Sequence, residues 1–119
     1  MSAQEAARAV RHDLGKYVFL EARWLGEDAT AADLRSALAA DLGHTRRGPT
    51  GDESCVQLWA RLRPSVAGLG VAEIDALVGR LGVALERLDS LDLAGLQSAA
   101  VAARELSEAC RHLTDRAEG

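Results

Sequence analysis

The sequence predicts an all-α fold, a small helical bundle of about four main antiparallel helices plus one short connecting helix. Three observations carry this. Apolar residues recur at i, i+3, i+4 spacing along most of the chain, and no stretch shows the β-branched or aromatic alternation of a half-buried strand. The only prolines, Pro49 and Pro64, fall where the helical pattern already weakens. Glycine-rich and polar stretches separate the periodic ones, most clearly "HTRRGPTGDE" (His44 to Glu53), which contains no apolar residue and reads as a loop.

The elements follow in order. The first helix is expected from about Ser2 to Leu25, opened by a capping box in Ser2-Ala3-Gln4-Glu5 and closed by Gly26. Its apolar side gathers Ala3, Ala7, Val10, Leu14, Tyr17, Trp24 and Leu25. A second helix starts at Thr30, where Thr30-Ala31-Ala32-Asp33 repeats the cap pattern. It carries Leu34, Leu38 and Leu42 on one face and stops near Gly43. The short third helix runs from about Ser54 to Leu62 with Val56, Trp59 and Leu62 in register, and Pro64 follows. "AGLG" (Ala67 to Gly70) is a turn. The fourth helix, about Val71 to Leu88, shows the cleanest stripe: Ile74, Leu77, Val78, Leu81, Leu85 and Leu88. "DSLD" (Asp89 to Asp92) breaks the chain and supplies cap candidates in Ser90 and Asp92. The last helix, about Leu93 to Arg116, turns Leu96, Ala99, Ala103, Leu106, Cys110 and Leu113 inward, and its alanines admit a close neighbour.

The 119 residues fit one domain, 1–119, long enough to bury a core without staples. Hydrophobic residues are 48% and charged ones 27%, a globular composition, and with only 3% aromatics the core must be Leu, Val and Ala. A net charge of -4 with no basic stripe argues against nucleic acid, whose binding rests on neutralising phosphates. No apolar run resembles a signal peptide or reaches the roughly 20 residues that cross a bilayer, so a cytoplasmic protein without membrane contact is expected. Cys55 and Cys110 form no CxxC pair. Their spacing leaves a disulfide open, but in a Leu/Ala-rich chain two reduced, buried thiols are the expectation.

One stretch stands out chemically: "RHDLGKYVFLEARWL", residues 11–25. On a helical wheel His12 falls opposite the apolar side, in the company of Arg8, Gly15, Lys16, Phe19 and Arg23. The imidazole is therefore expected to face solvent. Gly15 costs roughly 1 kcal/mol in a helix interior and leaves the ring uncovered. Lys16 could meet an anion carried on the imidazole. Phe19 is a large apolar group on an otherwise charged face, the mark of a docking surface.

An exposed helical histidine followed about one turn later by a glycine and a lysine resembles the site of histidine phosphotransfer domains, which are helical bundles of similar length. The resemblance implies His12 as phosphoacceptor, Lys16 as electrostatic stabiliser, Gly15 as access and Phe19 as docking anchor. The order is reversed here, with Gly15 before Lys16, and the matching stretch is about five residues. His12 followed by Asp13 also resembles the dimerisation helices of sensor kinases, though nothing in the chain matches a kinase ATP-binding domain. "HDLGK" is similar to the His-Asp signature of metal-dependent phosphohydrolases, whose metal site needs a further upstream histidine; none precedes His12 in this sequence.

The remaining candidates read as structural. Glu21 lies within the apolar stripe of the first helix and needs a partner such as an arginine or a helix end. Glu108 and His112 are four apart, not the three of a diiron Glu-x-x-His pair. Ser54 at a helix start reads as a cap, and Arg46 and Arg47 as solvated loop residues. There is no GxGxxG, P-loop or GxSxG, so neither cofactor nor metal is expected. The expectation is a non-enzymatic helical module that binds another protein, or itself as a homodimer, through Arg8, His12, Gly15, Phe19 and Arg23. The alternative is a histidine phosphotransfer protein using His12 and Lys16.

Overall fold

A computed structural model describes residues 2–14, 30–42, 46–48 and 51–118. It is an all-α bundle. Its α-helices are α1 (Ala3–Ala9), α2 (Ala31–Leu42), α3 (Cys55–Val66), α4 (Ala72–Glu86) and α5 (Leu93–Glu118). The long α5 is the axis on which α1, α2 and α4 all pack. The corner Leu88–Ser90 is a single 3₁₀ turn that folds α5 back along α4. At the other end of α5, α1 runs antiparallel to it: Gln4 Nε2 donates to Ala117 O at 3.3 Å, and Thr114 Oγ1 donates to Ala7 O at 3.5 Å.

Helical periodicity fixes which faces meet. On α5 the expected inner residues Leu96, Ala99, Ala103, Leu106, Cys110 and Leu113 are all buried. On α4 Ile74, Leu77, Val78 and Leu81 are buried, while Leu85 and Leu88 pack half-buried at the edge. Each fully buried leucine contributes roughly 1.5–3 kcal/mol of transfer free energy, so these two stripes dominate the core. The caps are as the sequence reads. Ser2 Oγ accepts from Glu5 N at 3.1 Å, and Thr30 Oγ1 from Asp33 N at 3.1 Å. Ser54 and Gln57 close a full capping box. At α5 it is Asp92 that caps, its Oδ1 accepting from Gly95 N at 2.9 Å, whereas Ser90 bonds back to Arg87 O.

Four local differences have physical causes. First, α1 passes at Val10 into a π-helical turn, Val10–Leu14, whose wider loop keeps both Val10 and Leu14 against the core. Ala6, not Ala3, takes the first buried position. The rest of the expected first helix, residues 15–25, lies outside the described residues. Second, α3 buries Trp59 and Leu62 as expected, together with Cys55, Leu58 and Val66, but at its start Cys55 takes the inner position and Val56 is exposed. Third, α3 continues through Pro64 to Val66. Proline forfeits one hydrogen bond, but it sits in the last turn, and Val66 two residues on is fully buried. The "AGLG" turn is a 3₁₀ turn, Ala67–Leu69, ended by Gly70 at φ +80, a left-handed conformation that favours glycine. Fourth, the polar loop holds a minimal antiparallel ribbon. β1 (Arg46–Gly48) pairs with β2 (Gly51–Glu53) in the register Arg46 to Glu53, Arg47 to Asp52 and Gly48 to Gly51.

Candidate functional site

His12 projects from the middle of the π-turn with its side chain 72% exposed, as the wheel argument expects. Its Nδ1 lies 3.0 Å from Asp13 Oδ1. A carboxylate on Nδ1 fixes the ring and leaves Nε2 as the outward nitrogen. Asp13 in turn faces α3, where its charge reaches Arg61. Arg61 is held by Glu53, a buried carboxylate, through Nε to Oε2 at 2.8 Å and Nη2 to Oε1 at 3.0 Å. Those two bonds are the main cause holding the guanidinium pKa above its ordinary value. Arg8 is also exposed, and its Nε meets Glu118 Oε1 at 3.2 Å, tying α1 to the end of α5. A pair so wet contributes little to stability. Gly15, Lys16, Phe19, Glu21 and Arg23 lie outside the described residues, so of the expected face the structure places only Arg8 and His12, both exposed and each with a different partner.

A second polar cluster joins α3 to α4. Trp59 Nε1 donates to Asp75 Oδ1 at 2.8 Å, and Arg63 forks onto the same carboxylate with Nε to Oδ1 at 2.8 Å and Nη2 to Oδ2 at 2.8 Å. The Arg63 bonds, then the indole bond, hold the Asp75 carboxyl below its ordinary range. The cluster is structural: it pins two helices and presents no open acceptor. Among the described residues no three His, Cys, Asp or Glu side chains gather as a metal ion would require, and no helix is long and apolar enough to cross a membrane.

One concave feature is passed over by the inner-stripe reading. A half-open groove of about 610 Å³ runs along the outer seam between α4 and α5. Ala76, Gly79 and Val83 line it from α4, Gly95, Ser98 and Ala102 line it from α5, and Leu91 at the corner between the helices also lines it. These spacings place each set on one helical face. Among the described residues no acidic one lines the groove. Its charged members are Arg80 on α4 and Arg87, the residue that caps the helix C-terminus, seven positions on. Among the described residues neither has a carboxylate partner; Arg80 reaches only Ser98 Oγ at 3.5 Å, a marginal contact.

No family model, curated protein or solved structure matches the chain.

Gly79 sharpens the picture of the groove. It sits in the interior of α4, where glycine costs about 1 kcal/mol against alanine. A Cβ there would meet nothing within 4 Å. By contrast, a Cβ at Gly82 would press on Val56 Cγ2 at 3.3 Å and one at Gly95 on Leu91 Cδ2 at 3.1 Å, so internal packing accounts for those two. Gly79 is required by nothing the structure describes, and its effect is to keep the groove floor clear. Val83 stands beside it, a valine 54% exposed. The sequence carried this signal: small residues and a glycine on the outer face of the most regular helix.

Proposed function

We propose that this protein is a non-enzymatic helical module whose α4–α5 seam docks a segment of another protein. The observation carrying the reading is the groove with Gly79 at its floor. A helix interior pays for a glycine that no internal neighbour needs, beside an exposed valine and two arginines without carboxylate partners among the described residues. Such a furnished, unfilled seam suits helix-in-groove recognition, in which an apolar stripe lies between two helices. The test is a photo-crosslinking residue at Val83, with the same residue at Arg111 on the exposed side of α5 as control. In the cells that make the protein, Val83 should give a discrete adduct, absent at Arg111 and lost when Gly79→Leu fills the groove. Adducts equal at both positions, or unchanged by Gly79→Leu, would overturn the reading.

His12 supports a second reading, phosphotransfer. With Nδ1–H donating to Asp13, the Nε2 lone pair faces solvent as a nucleophile. In that reading Nε2 attacks the phosphorus of a receiver-domain aspartyl phosphate, the phosphorus–oxygen bond breaks, and the aspartate leaves as carboxylate. Labelled phosphate supplied on such receivers should then appear on the wild type as acid-labile, base-stable label and be absent from His12→Gln. No label on either protein removes this reading.

A further inference from the structure

We infer that the partner segment is an acidic amphipathic helix, held by small residues along its floor and by Arg80 and Arg87 along its edge; this rests on the docking reading above. The argument begins with charge. The chain carries 18 acidic and 14 basic residues and is net negative, yet the groove lining is purely basic in its charged members. A ligand that enters must complement two guanidinium groups set two helical turns apart on one rim. Acidic side chains seven residues apart on a helix repeat at the same interval, about 10.5 Å.

Shape narrows the ligand further. From Ala76 to Arg87 the α4 wall extends about 16 Å, the length of three helical turns. The groove is open along its side, not closed around a ligand, which suits a rod lying in it better than an enclosed small molecule. Seven of the eleven lining residues are Ala, Gly or Ser, and the free space over Gly79 lets a third helix come close before side chains collide. Val83 supplies an exposed branched group for the partner's apolar stripe.

A second copy of the chain fits less well. A two-fold contact through this seam brings the same patch against itself, and the arginines of one lining would find no carboxylate in the other. Like charges brought together across an interface oppose association.

The experiment uses the intact chain and two synthetic helical peptides of about four turns, each with a leucine and alanine stripe. One carries glutamates seven apart beside the stripe and the other carries lysines at the same positions. Fluorescence anisotropy at low salt reads binding. The glutamate peptide should bind about tenfold or more tightly than the lysine peptide. Its affinity should fall with added salt, as partly exposed charge pairs do. The Arg80→Glu/Arg87→Glu variant should reverse the preference between the peptides. Gly79→Leu should weaken both without loss of helicity by circular dichroism, because its Cβ enters open space. Equal binding of the two peptides, unaffected by the charge reversal but lost in Gly79→Leu, overturns the acidic-helix inference and leaves the docking reading intact. Failure of both peptides to bind overturns the inference, and the Val83 crosslink then judges the docking reading separately. A dimer of the chain in sedimentation, dissolved by Gly79→Leu, makes the occupant a second copy and also overturns it.

Discussion

Trp59→Ala should lower folding stability by about 4 kcal/mol, the upper part of the range for emptying a large aromatic site. The indole is 4% exposed and joins α3 to α4 through Asp75, and the other buried hydrophobic residues described are aliphatic apart from Cys55 and Cys110. Two losses add. The first is the transfer and cavity cost of the ring, and leucines locked in opposed helical stripes relax little to fill the space. The second is the 2.8 Å bond from Nε1 to Asp75 Oδ1. This second part is small, because Asp75 is partly exposed and keeps Arg63 on both oxygens. Trp59→Phe separates the two, since it keeps most of the apolar surface and loses the donor; a cost of about 1–2 kcal/mol is expected. Against a typical total of roughly 5–15 kcal/mol, the alanine variant stands near the edge of folding at 37 °C. Urea unfolding followed by far-ultraviolet circular dichroism is the measurement, with the denaturant slope unchanged if only stability has moved. A loss below about 1.5 kcal/mol for Trp59→Ala would mean that α3 and α4 do not depend on the indole for their contact. The pH dependence gives a second handle. The Asp75 carboxyl is depressed by Arg63 and then by Trp59, so its stabilisation is fully present above about pH 4 and fades as pH falls through its lowered folded value. The donor component of the Trp59→Phe cost should fade with it.

The elements that could be read from the sequence are those governed by one uninterrupted period. On α4 and α5 the 3.6-residue repeat runs for four or more turns, and a one-residue error would expose a whole leucine stripe. Caps were legible because Ser, Thr and Asp do the same local job anywhere. The exposure of His12 and the burial of Cys110 followed from the same wheel geometry, whereas the burial of Cys55 was expected from the Leu/Ala-rich composition alone. What escaped depended on information the period does not hold. α3 is short, and with Cys55 and Val56 adjacent, either phase buries a comparable stripe until the opposing surface of α4 selects one; Gly82 opposite Val56 is part of that selection. The π-turn at Val10–Leu14 keeps the same inside residues as an α-helix and so leaves no trace in an apolar pattern. The ribbon Arg46–Glu53 is joined by backbone pairing across three residues a side and has no alternation to recognise. The α4–α5 groove was missed because attention to inner stripes treats every outward residue as solvated surface. A glycine and an alanine on the outside of a regular helix are the informative departure from that assumption. Most of the expected helix-1 face, from Gly15 to Arg23, lies beyond what the structure describes.

The two cysteines should make the protein unusually sensitive to alkali. Cys55 is the first residue of α3, a position where the helix dipole favours a thiolate. Burial wins: the thiol is 1% exposed and its pKa is pushed up to about 11. Cys110, also 1% exposed, is pushed up to about 12, first by burial and then by repulsion from Cys55. The sign of the consequence follows from where the protons sit. Below about pH 9 both thiols are protonated folded and unfolded, so their protonated burial carries no pH-dependent cost. Above it the unfolded chain releases protons that the folded chain retains, and stability falls as pH rises through the folded values. By pH 10 each thiol favours the unfolded state by roughly 1 kcal/mol, together a few kcal/mol. Urea midpoints between pH 7 and 10, for the wild type beside Cys55→Ala/Cys110→Ala, isolate this contribution, because every other titrating group is common to both. The wild-type curve should fall away from the double variant above pH 9, whatever constant offset the alanines introduce. Parallel curves would mean that the folded thiols ionise as freely as unfolded ones. Alkylation tells the same story by rate: at pH 8 the native thiols should resist iodoacetamide and react only as the chain opens, so labelling reports unfolding. Rapid labelling of folded protein would instead place a low-energy opening at the start of α3, next to Glu53 and the Arg61 pair that holds it.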